Sequence, residues 1–452
     1  MTFTAASINW DAIATELAGI EAIADPNQLT KLSLDYYDFS PILAAQLGHK
    51  RANLVVRPTT EAEVLRVAQV CVNHRIPLTV RGAGTGNYGQ CIPLDGGIVV
   101  DLTKLNAIHW LKGGVACVDP GVRLATFDKQ ARPQGWEWRM YPSTYRTATI
   151  GGFIGGGSGG IGSITYGQLR DRGNLHAVRV VTLEDTPRVL ELRGDAVQQV
   201  NHAYGTNGII TQLEVPLAPA YDWAEAIVTF DDFAAAAQFG QTLSDADALI
   251  KKLVSIHADP IPQYFAALQT YIPAGKSCAL LILAESSLAP LQDLVAEFNG
   301  AIAYTKPATD AQKGINLAEF TWNHTTLHAR AVDPTLTYLQ TFFFTLENVD
   351  KMIREFGDEV MVHLEFLRVN GKAIPAGLQL VRYSTPERLN EIIHYHEANG
   401  CAIANPHTYI LEDGGRKVID PVQLAFKEQV DPYGLLNPGK MRAWFEKYPP
   451  TA

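Results

Sequence analysis

"RGAGTGNYGQ", Arg81 to Gln90, places Gly84, Gly86 and Gly89 in G-x-G-x-x-G order, the spacing of a turn that aims a helix N-terminus at a pyrophosphate. Such a turn has to run from a strand into a helix. Upstream, PLTVR (Pro77 to Arg81) reads as the strand. Downstream, QCIPLDGG intervenes before the next strand-like run, IVVDL (Ile98 to Leu102), and Pro93 with the Asp95-Gly96-Gly97 turn leaves no room for a helix. The loop therefore joins strand to strand. Its bare amides can still converge on phosphate oxygens as an anion nest, without a helix dipole; an ordinary turn is the other reading. Asp101 stands near the distance of a ribose-binding acid, but it lies inside an apolar strand-like run and is discounted.

Working outward, a helix is expected near Trp10 to Ala24, and NLVVRP (Asn53 to Pro58) is β-like. Thr60-Glu61-Ala62-Glu63 reads as a capping box opening an amphipathic helix to about His74. Further on, Thr147 to Leu169 carries no charge but is too glycine-rich for a helix, each interior glycine costing about 1 kcal/mol against alanine. It reads as a loop that something else orders. With Gly205-Thr206-Asn207-Gly208-Ile209-Ile210 it makes a second set of places where backbone can approach a flat ligand, with Ile154, Ile161, Ile209 and Ile210 as apolar walls.

Composition narrows the classes. The 452 residues suffice for two or three domains, and 47% hydrophobic with 19% charged residues suits buried cores. A formal charge of −10 argues against general affinity for nucleic acid or anionic membrane. Five cysteines, Cys71, Cys91, Cys117, Cys278 and Cys401, form no C-x-x-C pair and read as buried free thiols. No membrane span is expected. The N-terminal stretch lacks a basic region followed by an apolar one, so a cytoplasmic protein is expected.

RGAGTG with Gly89, PS…TIGG…GG…YG, YGTNGIIT and DPYGLLNPGKM (Asp431 to Met441) together resemble the FAD-linked oxidases of the vanillyl-alcohol oxidase type, with a PCMH-type FAD-binding domain. Within them the chain is most similar to the branch of D-lactate dehydrogenases and the glycolate oxidase catalytic subunit. The resemblance covers residues 49–220 and 431–441 strongly and the middle in outline. It implies that Arg81, Gly82, Ala83, Gly84, Thr85, Gly86, Asn87 and Gly89 wrap the FAD pyrophosphate. Pro142, Ser143, Thr149, Gly151, Gly152, Ile154, Gly159 and Gly160 would follow the ribityl chain and ring, Ile209 and Ile210 would close one side, and Asn437 would return from the C-terminus. Family members with covalent FAD have a histidine near Thr85; threonine cannot form that bond, so the resemblance implies noncovalent FAD.

The fold expected is α+β: an N-terminal helical segment (1–48), a two-part FAD-binding domain (49–220), an α+β cap with an antiparallel sheet (221–420) and a C-terminal segment returning to the FAD domain (421–452). In the cap, strand-like Glu225 to Phe230 and Ala279 to Glu285 alternate with helix-like DDFAAAAQFGQTL and LAPLQDLVAEFNG in a βαβ rhythm. Glu359 to Arg368 reads as a further strand before the helix-like Thr385 to Gly400.

Flavin oxidoreductases need a base for the substrate hydroxyl and groups that orient the substrate. Where the resembled branch shows Glu-His-Gly, this chain reads Asn405-Pro406-His407, which makes His407 the candidate base by resemblance, beside a structural hydrogen bond. Where the branch carries its histidine-rich metal element, only Val362-His363-Leu364-Glu365 is present. His363 and Glu365 share a strand face; a two-ligand contribution stands beside an ordinary half-buried strand, and no metal is assigned. Asn323 and His324 are candidates to line the substrate, while His324 and His328 lack the acidic neighbour of an i, i+4 zinc pair. Arg330, Arg368 and Arg382 are candidates to pair a substrate carboxylate, and His394 and His396 read as surface.

The leading expectation is FAD-dependent oxidation of a small D-2-hydroxy acid of lactate or glycolate type, by hydride transfer to flavin with His407 as base. The alternatives are a neutral alcohol such as a sugar lactone or aromatic alcohol, suggested by Trp322, Tyr338, Phe342, Phe343 and Phe344, and a flavin-binding accessory subunit without turnover. The electron acceptor is open between oxygen, a quinone and a redox protein, as is assembly into a homo-oligomer.

Overall fold

The computed structural model describes residues 8–310, 313–416 and 418–449; the start of the stretch read for a leader lies outside them. Three sheets organise the chain. In the first, Leu54–Arg57, Ile98–Asp101 and Leu78–Arg81 run parallel, and Glu21–Ile23 adds an antiparallel edge. The N-terminal helix is therefore shorter than expected: it covers Trp10–Glu16, and the apolar residues beyond it turn into that edge strand. Thr60 Oγ1 accepts the Glu63 N–H as a capping box requires, and the Glu63 carboxylate reaches back to accept the Thr59 N–H and hydroxyl.

The second sheet is antiparallel and centres on the long strand Ile209–Pro219, flanked by Val115–Val118 and Ala177–Val181. Between these sheets the glycine-rich stretch contains helices Ile150–Gly156 and Ser163–Tyr166, contrary to the loop expected there. Packing outweighs propensity: a Cβ on Gly151 would lie 2.4 Å from Pro120 Cβ, so only a glycine helix can approach this close. Phe153 and Ile154 anchor it in the core.

The third sheet, nine-stranded and antiparallel, forms the cap. Its strands and helices repeat one β-α-β-β-α-β unit twice, from Trp223–Phe230 to Ala301–Lys306 and again from Leu336–Phe342 to Ala402–Ala404. The two units join edge to edge through Lys251–His257 and His363–Val369, with Ser255 opposite Glu365 and His257 opposite His363. Period-two alternation then sorts the side chains. Val254, Ile256, Leu339, Leu364 and Phe366 pack under the helices Phe233–Asp245, Leu346–Phe356 and Pro386–Ala398, each fully buried large side chain contributing about 1.5–3 kcal/mol. The alternate positions, Ser255, His257, Tyr338, Gln340, His363 and Glu365, fall on the opposite face. His396 belongs to the core rather than the surface: it is fully buried, stacks on Phe356 at 5.3 Å, and its Nδ1 contacts the Ile392 carbonyl at 2.8 Å. No helix of the described residues is long and apolar enough to cross a membrane.

Candidate functional site

A cavity of about 450 Å³ lies between the glycine-rich loops and the cap. One wall is mostly backbone, from Arg81 to Asn87, Gly151 to Phe153 and Gly155 to Gly159, with Gly205, Asn207 and Gly208. Arg81 holds the first loop from beneath. Its guanidinium donates to the Leu34 carbonyl, and a Cβ on Gly84, whose φ is +67°, would lie 2.1 Å from it. A Cβ on Gly82 would lie 2.3 Å from Thr149 Oγ1, so this loop and the Ile150–Gly156 helix touch through glycine alone. On the same wall the buried Tyr88 hydroxyl, Thr149 Oγ1 and Gln168 Nε2 have no hydrogen-bond partner among the described residues. A buried polar atom without a partner is rare in native proteins. Three of them around bare backbone suit a long polar ligand such as a dinucleotide.

Behind the loop, Lys440 is buried and donates to the Gly89 carbonyl. Burial lowers its pKa, opposed by the Asp35 carboxylate, and burial raises that of Asp35, opposed by Lys440. Cys91 reaches the cavity, but burial pushes its thiol up to about 11, which keeps it protonated and a poor nucleophile. His202, also on the wall, sets its Nδ1 2.7 Å from the Gly157 carbonyl, and burial lowers its pKa.

The cap closes the cavity with Trp322, Asn323, Gln340, Phe342, Ala404 and Gly414. Trp322 has φ 52° and ψ −138°, a conformation that is strained for a bulky residue and persists only when its surroundings over-determine it. Here Glu365 does so: its Oε1 accepts the Trp322 N–H at 2.7 Å, the Ser255 hydroxyl at 2.9 Å and a contact from His363 Nε2 at 2.9 Å. His363 in turn stacks on His257, ring centroids 4.3 Å apart.

Most residues expected to hold the cofactor line this cavity: Arg81 to Asn87, Pro142, Ser143, Thr149, Gly151, Gly152, Gly159 and Ile210. Five sit behind it. Gly89 packs toward Leu47, Ile154 is in the core, Gly160 packs on the Tyr141 carbonyl, and Ile209 faces away from Ile210 by strand alternation. Asn437 clamps the loops from behind, donating to the carbonyls of Gln90 and Tyr204.

The catalytic candidates separate more sharply. Asn323 is on the cap wall. His407 is not: it is 5% exposed, with Nδ1 2.8 Å from Ser40 Oγ and Nε2 2.9 Å from the Tyr338 carbonyl. Burial lowers its pKa to about 4. His363 and Glu365 are buried in the cap sheet rather than half-exposed, and no metal-binding cluster occurs among the described residues. His324 pairs with Glu319 at 3.2 Å off the cavity. Arg382 binds the Asp358 carbonyl and Asp333, Arg330 the carbonyls of Leu336 and Asp38, and Arg368 the Ile164 carbonyl and Asp247. Tertiary contacts thus occupy every arginine proposed for a carboxylate. The reading of the chain missed Gln90, Gln168, His202 and Gln340, all on the wall; Gln340 alone had a legible signal, two residues along its strand from both Tyr338 and Phe342.

Residues 52–190 match the family model described as FAD binding domain. Among curated proteins, D-lactate dehydrogenase of Anaerostipes hadrus is 31% identical over 195 residues, 40% of either chain. Glycolate oxidase subunit GlcD of Bacillus subtilis (strain 168) is 28% identical over 42% of either chain, and its Escherichia coli (strain K12) counterpart 30% identical over 37% of this chain and 35% of its own. The match thus spans about two fifths of the first relatives' length. Among solved structures, an alkyldihydroxyacetonephosphate synthase aligns over 96% of this chain and 85% of its own with a TM-score of 0.75 at 16% identity. Physcomitrella patens BBE-like 1 aligns over 94% and 98% with a TM-score of 0.66 at 15% identity. These two likenesses are of fold.

Proposed function

We propose, from the premise that residues 52–190 are an FAD binding domain, that the protein is an FAD-dependent oxidoreductase acting on an alcohol that enters between this domain and the cap. The observation that carries the reading is the two-sided cavity: one wall of bare amides and orphaned polar atoms suits the cofactor, and the cap wall supplies a separate set of side chains. FAD, when bound, supplies the hydride acceptor. The chain's own part is to orient the alcohol and exclude water, and Asn323 with Gln340 can hydrogen-bond its hydroxyl while Phe342 covers it. His407, with both ring nitrogens engaged, braces the cap strand Leu336–Phe342 against Ser40.

The names of the relatives support a small 2-hydroxy acid as the first substrate to try. The test is anaerobic: flavin absorbance is followed while D-lactate, glycolate, D-2-hydroxyglutarate, a lactone and an aromatic alcohol are added in turn. Bleaching by any of them is the expected result. Retained FAD that none of them bleaches would favour an accessory subunit without turnover.

A further inference from the structure

Resting on the reading that Arg81 to Gly89 holds the FAD pyrophosphate, we infer that the cofactor binds with uptake of a proton from solvent, received by Asp35 and Lys440 behind that loop. Three ionisable side chains from separate segments meet there. Arg81, at the end of the strand Leu78–Arg81, lies under Gly84 and donates to the Leu34 carbonyl. Lys440, from the C-terminal segment, is fully buried; its Nζ donates to the Gly89 carbonyl and lies 5.1 Å from the Tyr409 ring centroid. Asp35, from the N-terminal segment, is the carboxylate under the loop. A Cβ on Gly86 would lie 3.9 Å from its Oδ2, and the next residue, Tyr36, donates its N–H to the Gly86 carbonyl at 2.8 Å. One layer of backbone therefore separates this cluster from the cavity.

In the free protein Asp35 is the nearby counter-charge to the two cations. Burial raises its pKa, opposed by Lys440, Arg81 and the amides of Tyr37 and Cys91. Burial lowers that of Lys440, opposed by Asp35, the Cys91 thiol and Asp95 and reinforced by Lys50. The other groups facing Asp35, the Tyr37 and Tyr338 hydroxyls and the Cys91 thiol, are all pushed up by burial and stay protonated near neutral pH. Asp35 and Lys440 thus share the proton that can change in this cluster. A pyrophosphate on the far side of the loop is attracted by Arg81 and Lys440 and repelled by Asp35, which favours the protonated form of both members of the pair. Because the complex then holds the proton more tightly than the free protein, affinity is greatest at low pH and falls as pH rises above about 6, where free Asp35 ionises.

FAD titrated into the full-length apoprotein from about pH 5.5 to 7.5, a range in which FAD itself does not titrate, tests the inference. Quenching of flavin fluorescence reads affinity, and the binding heat in buffers of different ionisation enthalpy reads proton uptake. Affinity is expected to fall about tenfold across the range, with net uptake near neutral pH. Lys440→Met should weaken binding about tenfold at the upper end and regain part of it on acidification, whereas Asp35→Asn should bind at least as tightly as the parent. A purely structural cluster predicts weaker binding in both. The double variant, with a neutral pair of similar shape, should lose the pH dependence. Affinity independent of pH in the parent, or a slope that survives in the double variant, as titration of His202 on the cavity wall would give, overturns the inference and leaves the cofactor reading standing. No FAD binding at any pH overturns both. Should the apoprotein unfold, the rate of FAD release from the diluted holoprotein reads the same dependence, rising with pH.

Discussion

The two walls of the cavity are built on opposite principles. The FAD-binding side is shaped by the absence of side chains, with Gly82 against Thr149 and Gly84 over the Arg81 guanidinium. The cap side is shaped by side chains, among them Trp322 and Asn323, whose Nε1 and Oδ1 have no partner among the described residues. A wall of backbone binds the part common to any ligand of its class. A wall of side chains chooses among substrates, and can be altered without disturbing the first.

Breaking each wall should therefore produce a different defect. The largest effect concerns the cofactor: with threonine at position 85, acid precipitation should release all the flavin into the supernatant, and colour remaining in the pellet would contradict noncovalent binding. Next, Gly82→Val forces side-chain atoms onto Thr149 and should weaken FAD retention about a hundredfold, measured by dialysis of the flavin, with the cap sheet still folded by circular dichroism.

His407 sharpens the comparison because it serves neither wall directly. Burial lowers its pKa from 6.5 to about 4, so between those values the unfolded chain takes up a proton that the folded one does not. Stability is then full above about pH 6.5 and falls as pH drops toward 4, by at most about 3 kcal/mol from this residue. Urea unfolding across that range should show the slope, and His407→Gln should make it shallower, the buried His202, His257 and His396 contributing in the same direction. The smallest effect is expected from Gln340→Leu, which should slow flavin reduction at limiting substrate about tenfold while leaving FAD bound. Equal loss of FAD in this variant would merge the two walls into one.

The cofactor wall was largely legible beforehand because its signals are local. Arg81 to Gln90 lies between two strands with no space for a helix, so the chain had to offer amides at that turn. The same local logic failed for Ile150–Gly156, whose glycines make a poor isolated helix but a close-packing one once Pro120 lies against them. It failed again for His396, since a histidine in a polar-looking stretch carries no mark of whether the neighbouring element will cover it.

By itself, the sequence determined the strand-to-strand glycine loops, the period-two strands of the cap and the α+β class, because these depend on φ/ψ freedom and alternation over a few neighbouring residues. Tertiary structure decided which polar groups meet the cavity. Trp322, Asn323 and Gln340 come from two segments and reach one wall only because the two cap units join through Lys251–His257 and His363–Val369, where Glu365 is buried and catches the Trp322 N–H. That pairing crosses more than a hundred residues of chain, between Ser255 and Glu365, and no spacing rule within a single segment encodes it.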